Sequence, residues 1–306
     1  MALETNIQKL FNVQGLVAVI TGGGTGLGLY AAKILDANGA KAVYIVGRRE
    51  EVLRKAADSA ENGTIIPLVG DVTNIDSLRG IVATIEKEQG YVNVVFANAG
   101  TTGVCHDPSD DVRMGKIPTL AEFQQKMLRP ELLDEFTQVL HINTTAVHYT
   151  AMAFLDLLDK GNQKKNVAQE SQIIVTTSAA AYERSLLPSL AAYCSAKAAT
   201  STLAGVLATK FAERRLHIRV NSIAPGHFPS DLTSGYLSMF PAYTQDGQNG
   251  QDAAFAGARC LPREMCPAER SGSPEEFAGV FLFLASRAAA YCNGATLLID
   301  GGLLCK

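Results

Sequence analysis

Leu16-Val17-Ala18-Val19-Ile20-Thr21-Gly22-Gly23-Gly24-Thr25-Gly26-Leu27-Gly28 is the stretch that sets the fold. Leu16 to Thr21 is a short, β-branched apolar run that reads as a buried strand, and Leu29 to Leu35 has helical character. The glycines between them form the turn. Glycine is needed where backbone must come close to a pyrophosphate, and the helix that follows aims free N–H groups and a positive dipole end at the anion. The strict spacing G-x-G-x-x-G/A occurs only from Gly26 to Ala31, too late after the strand to be the turn. Read as T-G-x-x-x-G-x-G, Thr21, Gly22, Gly26 and Gly28 stand in the correct place. Gly22, Thr25, Gly26 and Leu27 are the candidate cofactor contacts here. The bland alternative is a glycine-rich loop without a ligand.

Working outward, three more apolar runs end in punctuation. Ala42 to Val46 ends at Gly47-Arg48-Arg49, Thr64 to Val69 at Gly70-Asp71-Val72-Thr73, and Val92 to Ala97 at Asn98-Ala99-Gly100. Ligands of an open parallel sheet bind at the carboxyl ends of its strands, so all four turns fall on one rim. At the end of the second strand an acid favours a bare ribose 2′-hydroxyl and an arginine accommodates a 2′-phosphate. Glu50 and Glu51 come too late, so NADP is favoured over NAD, with Arg48 as the main contact and Arg49 as second choice. A solvated basic turn is the competing reading.

Farther along, Tyr193-Cys194-Ser195-Ala196-Lys197 puts a weak acid and a cation one helical turn apart, on one face of a helix. A phenol titrates near a pKa of about 10, and a neighbouring ammonium stabilises its anion, moving the group toward proton transfer near neutrality. Tyr-x-x-x-Lys alone is a weak signal that an ordinary amphipathic helix also produces. Its company gives it weight.

The 306 residues, 47% of them hydrophobic, are enough for one large α/β core, and 27 Lys+Arg against 30 Asp+Glu give a net charge of −3. No basic block is present to track a phosphate backbone, and no apolar run approaches a membrane span, so neither nucleic acid nor membrane is expected as a partner. The N-terminus lacks the features of a secretory leader. Six cysteines without Cys-x-x-Cys point to reduced thiols in a cytoplasmic setting, although Cys260 and Cys266 could pair. The five histidines show no metal-ligand spacing, and His227 alone falls near the predicted site.

In order, Thr21-Gly22-x-x-x-Gly26-x-Gly28, Asp71-Val72, Asn98-Ala99-Gly100, Asn143, Ser178, Tyr193-x-x-x-Lys197, Pro225-Gly226 and Asp300-Gly301-Gly302 together resemble the short-chain dehydrogenase/reductase family over nearly the whole chain. The resemblance implies one Rossmann-like α/β domain, a doubly wound parallel sheet of seven strands with helices on both faces. It also implies hydride transfer between a nicotinamide cofactor and a carbonyl or alcohol, and assembly as a homodimer or homotetramer. Under it, Asp71 hydrogen-bonds the adenine amine, Asn98 and Ala99 line the adenosine ribose, and Gly26 and Leu27 offer N–H groups to the pyrophosphate. Asn143, within a helical segment from Leu132 to Leu158, holds a water that links Lys197 to solvent. Lys197 also hydrogen-bonds the nicotinamide ribose. Ser178, at the end of the strand Ile173 to Ser178, pairs with Tyr193 to polarise a carbonyl oxygen. The fifteen-residue interval between them implies a short insertion in Ala179 to Ala192, and Ser185 is a poorer alternative. After the strand Arg219 to Ile223, Phe228 stands where the family has an aliphatic residue that binds the nicotinamide amide through its backbone. Ser230 stands at the family's threonine.

Two segments exceed ordinary connection lengths. Thr101 to Pro130 carries the polar run Asp107 to Asp111, and His227 to Arg270 carries Tyr236, Met239, Phe240, Tyr243 and Phe255. Long loops on the carboxyl rim shape substrate entry. The second reads equally as a lid over an apolar or ring-containing substrate or as an excursion packed on itself. Ser273-Pro274-Glu275-Glu276 marks a helix start. The sequence therefore predicts an NADPH-dependent reductase of a small-molecule ketone, 3-oxoacyl-type or another apolar or ring carbonyl. An NAD-linked alcohol dehydrogenase and a dinucleotide-binding regulator without turnover are the rivals.

Overall fold

The computed structural model describes residues 4–103, 117–183, 190–243 and 255–305. After a short helix, α1 (Ile7–Leu10), the chain alternates strand and helix: β1 (Val17–Thr21), α2 (Gly26–Ala37), β2 (Ala42–Gly47), α3 (Glu50–Asp58), β3 (Ile65–Val69), α4 (Ile75–Glu88) and β4 (Val94–Ala97). The second half carries α5 (Leu120–Met127), α6 (Pro130–Leu140), α7 (Ala146–Ala153), α8 (Leu155–Lys164) and β5 (Gln172–Thr176). It continues through α9 (Ala191–Glu213), β6 (Arg219–Pro225), α10 (Asp231–Leu237), α11 (Pro274–Ala285) and β7 (Thr296–Ile299).

All seven strands pair in parallel in the order β3-β2-β1-β4-β5-β6-β7. Such a sheet is covered on both faces, which is why its strands read as continuous apolar runs. Side-chain alternation divides β1 between two cores. Val17 and Val19 join Tyr44, Phe154 and Leu157 on one face, while Ala18 and Ile20 join Leu35, Phe96, Phe277 and Phe281 on the other. The strand order reverses between β1 and β4, and the crevice this opens at their carboxyl ends holds the candidate site.

Several expectations change in detail. The helix after the glycine turn starts at Gly26, not Leu29, so its unpaired first-turn N–H groups lie inside the loop. The segment from Leu132 to Leu158 is not one helix: a π-helical turn at His141–Thr145 follows α6, and Phe154 separates α7 from α8. Within Thr101 to Pro130, α5 has a capping box between Thr119 and Glu122, while Asp107 to Asp111 and Ser185 lie outside the described residues. The 227–270 stretch begins with α10 and has a small core of its own, Leu237, Leu261 and Cys266 with Tyr236 and Phe240 against them. Cys260 and Cys266 are free thiols, not a pair.

Candidate active site

The site gathers at the carboxyl ends of the strands and along α9 and the π-helical turn that faces it. The glycine turn comes first: Gly22 and Gly26 hold φ of +65° and +52°, in the left-handed region that side chains disfavour. At Gly28 a Cβ would stand 2.3 Å from the Gly22 carbonyl oxygen, so the turn closes only with glycine there. Thr25 caps α2 in extended conformation without a side-chain cap bond. The helix therefore presents first-turn N–H groups and its positive dipole end to the cleft.

The cleft is a cavity of about 630 Å³. Every predicted contact lines it: Gly22, Thr25, Gly26 and Leu27 from the turn, Arg48 and Arg49 after β2, and Asp71 and Val72 after β3. Asn98, Ala99 and Gly100 after β4, Asn143, Ser178, Tyr193 and Lys197, and Pro225, Gly226, Phe228 and Ser230 after β6 complete it. A glycine cradle, a helix N-terminus facing it and two arginines at the second strand end fit the dinucleotide that this donor set implies.

Asp71 accepts from the Thr73 N–H at 2.9 Å and the Thr73 hydroxyl at 2.7 Å. These bonds, aided by the more distant Arg48 and His141 charges, hold its carboxyl below the ordinary range. Asn98 lies in the cleft wall, but its amide is used within the sheet: Nδ2 donates to the Thr21 and Gly22 carbonyls at 3.1 and 3.3 Å, and Oδ1 accepts from Thr176 at 2.9 Å. The Asn98 side chain thus ties β1, β4 and β5 together at the rim.

At the other end of the cleft, Lys197 and Tyr193 occupy one face of α9, the ammonium 5.8 Å from the ring centre. Lys197 Nζ donates to the Thr176 carbonyl at 2.8 Å, and burial lowers its pKa to about 8. The Ser178 hydroxyl hydrogen-bonds the Tyr193 phenol. The expected acidification of Tyr193 is not what the structure gives. Burial pushes the phenol up, and the Ser178 bond only partly offsets it. Desolvation disfavours the charged form of each member of the pair, raising the phenol and lowering the ammonium.

Asn143 sits in the π-helical turn and is fully buried. Its Oδ1 accepts from the Thr101 N–H at 3.0 Å and its Nδ2 donates to the Thr101 carbonyl at 2.7 Å. The Thr200 hydroxyl of α9 lies 2.8 Å from the Asn143 carbonyl oxygen. A π turn is an expected place for a functional residue because it re-aims one side chain within a helix. Gly100 allows the approach: a Cβ there would be 2.6 Å from Asn143 Oδ1 and 3.6 Å from Lys197 Nζ.

Phe228 lines the cleft. Its ring is buried against Phe277, centroids 5.9 Å apart, and its carbonyl accepts from the Thr233 hydroxyl at 2.5 Å. Ser230 caps α10, accepting from the Thr233 N–H at 3.3 Å. Sequence reasoning missed Thr101, Thr176 and Asp231. Thr101 holds Asn143, and Thr176 holds Lys197, through backbone groups, which carry no residue-type signal. Asp231 follows Ser230 directly, but its approach to Arg49 at 3.2 Å depends on a tertiary crossing.

A family model for the short chain dehydrogenases matches residues 16–239. The chain is 41% identical over 298 residues to the short-chain dehydrogenase/reductase PhomF of Diaporthe leptostromiformis, covering 96% of this chain and 93% of that one. It is 28% identical over 294 residues to the versicolorin reductase stcU of Emericella nidulans, covering 95% and 97%. Among solved structures, the Pseudomonas aeruginosa RhlG/NADP active-site complex superposes with a TM-score of 0.73 at 26% identity, over 96% of this chain and 98% of that one. With the doubly wound sheet and the cleft at its switch point, these likenesses show that the chain belongs to the short-chain dehydrogenase/reductase family, whose members are oxidoreductases that bind a nicotinamide dinucleotide.

Proposed function

We propose that the protein is an NADPH-dependent reductase of a small-molecule ketone. The observation that carries the reading is the convergence of Tyr193, Ser178, Lys197 and Asn143 on one end of a cleft whose opposite end bears Arg48 and Arg49. When bound, the dinucleotide supplies the hydride. Tyr193 donates the proton to the carbonyl oxygen, and Ser178 holds that oxygen and the phenol together. Lys197, charged below its lowered pKa of about 8, favours the phenolate left behind and hydrogen-bonds the nicotinamide ribose. Asn143 orients the water through which Lys197 exchanges protons with solvent. Arg48 carries the adenosine 2′-phosphate. The aromatic content of the 227–270 stretch, Tyr236, Tyr243 and Phe255, suits an apolar or ring-bearing ketone, 3-oxoacyl or cyclic. Two likenesses support the reading, one to a versicolorin reductase and one to a structure solved with NADP.

The test is a panel of ketones with NADPH and with NADH, following loss of reduced-cofactor absorbance, for the parent and Tyr193→Phe. NADPH consumption by the parent and its loss in the variant, with cofactor affinity kept, is the expected result. Equal use of NADH would remove the Arg48 assignment, and an active Tyr193→Phe would remove the proton donor.

A further inference from the structure

The two arginines at the adenosine end are not equivalent. The Arg48 charge helps to lower the Asp71 pKa, whereas Arg49 donates from Nη2 to Asp231 Oδ2 at 3.2 Å. Asp231 comes from the far wall of the cleft, at the first position of α10, and lines the same cavity as both arginines. Its segment is pressed onto the glycine turn. The Tyr30 hydroxyl donates to the Pro229 carbonyl at 2.8 Å, and a Cβ on Gly26 would stand 2.7 Å from the Ser230 Cβ. Asp231 is thereby held facing Arg49 across the cleft.

We propose that Asp231 is a cofactor-specificity residue whose carboxylate competes with an adenosine 2′-phosphate for Arg49. The inference rests on the NADPH reading above. The pair is open to solvent, with side chains 68% and 61% exposed, so it is a weak, screened contact. A phosphate dianion, which guanidinium binds in a charge-assisted and often bidentate manner, displaces the carboxylate. The displaced Asp231 then faces that dianion as a like charge. Neutralising it removes both the competition and the repulsion, and an unphosphorylated adenosine feels neither.

Calorimetric titration of the full chain with 2′,5′-ADP and with 5′-AMP tests this in the parent, Asp231→Asn, Arg49→Gln and the double variant. Asp231→Asn should tighten 2′,5′-ADP by roughly two- to fivefold, with 5′-AMP essentially unchanged, and added salt should shrink the gain. The gain should vanish when Arg49 is Gln. Unchanged binding, an equal change for both probes, or a gain that persists without Arg49 would each overturn the proposal. The reading beneath it is judged by the parent alone. If the parent binds 2′,5′-ADP no better than 5′-AMP, the Arg48 assignment falls, while the Asp231 proposal is decided by the change its own substitution makes.

Discussion

Lys197 stands one helical turn from Tyr193, its ammonium 5.8 Å from the centre of the ring, yet its hydrogen bond goes to the Thr176 carbonyl at 2.8 Å. That bond holds the ammonium in a position only 4% exposed. Keeping a charge there is costly. Burial lowers the Lys197 pKa from 10.5 to about 8, a shift that corresponds to about 3 kcal/mol of destabilisation when the group is protonated in both states.

Lys197→Met should consequently remove turnover without lowering stability at pH 7. Loss of the bond to Thr176 offsets roughly 1 kcal/mol of the gain, so the cofactor-free variant should be as stable as the parent or more so. Between about pH 8 and 10.5 the unfolded parent binds more protons than the folded one, so parental stability rises with pH and the difference narrows. Urea unfolding of both proteins at pH 7 and pH 9.5 measures this. A variant clearly less stable at pH 7, or a difference that does not move with pH, would contradict the burial account.

Ser178 bears on the phenol in the opposite sense to burial. Its hydrogen bond lowers the Tyr193 pKa while desolvation raises it. Ser178→Ala should raise it further, so the alkaline rise in the alcohol-oxidation rate, which needs the phenolate, should move to higher pH. Turnover should also fall by roughly 10² to 10⁴, the usual range for loss of a positioned proton-transfer or oxyanion partner. Rate profiles of the oxidation direction from pH 6 to 11 give both quantities. A profile displaced toward acid would show that Ser178 does not stabilise the anion.

Asn143 joins scaffold and site, because its amide makes two bonds to Thr101 at 3.0 and 2.7 Å from a fully buried position. Asn143→Ala should cost roughly 2 to 4 kcal/mol, since it leaves the N–H and carbonyl of Thr101 unpaired at 1 to 3 kcal/mol each, reduced by local relaxation. Thermal unfolding monitored by circular dichroism reads the loss. A change below about 0.5 kcal/mol would mean that water replaces both bonds without penalty.

The order of elements and the four loops of the rim were legible because each rests on a local pattern. Apolar runs such as Leu16 to Thr21 end in glycine or a polar residue, and a parallel sheet sets all those ends side by side. The break at His141–Thr145 was not legible. Nothing in His-Ile-Asn-Thr-Thr announces a π turn, which is maintained by Thr101 and Thr200 from distant parts of the chain. The same holds for the Tyr193 phenol. The spacing to Lys197 shows that the two share a face, but the balance between field and desolvation depends on how much protein surrounds them. Asn98 belongs to the cleft by its loop, as expected, but the partners that fix its amide there, Thr21 and Thr176, lie on other strands and leave no local signal.

Arg270 joins the self-packed excursion to the rest of the domain. Its guanidinium binds both oxygens of Glu276 at 2.7 Å and lies 4.0 Å from the centre of the Phe255 ring. Glu276 is also the reciprocal member of the capping box that starts α11, accepting from the Ser273 N–H at 2.9 Å. Arg270→Gln should therefore loosen the 255–272 stretch and fray the first turn of α11, costing roughly 1 to 3 kcal/mol at pH 7 for a bidentate, partly buried pair with ring stacking. The hydrogen bonds from Arg270 are the leading cause holding the Glu276 pKa below 4.5. Their contribution is thus complete above that value and lost as pH falls through the lower, folded one. The stability difference between parent and variant should shrink as unfolding is followed from pH 7 down to pH 3, and amide exchange at pH 7 should quicken first in residues 255–277. Equal exchange in the two proteins would show that the excursion is held by its own Leu237, Leu261 and Cys266 core and not through Arg270.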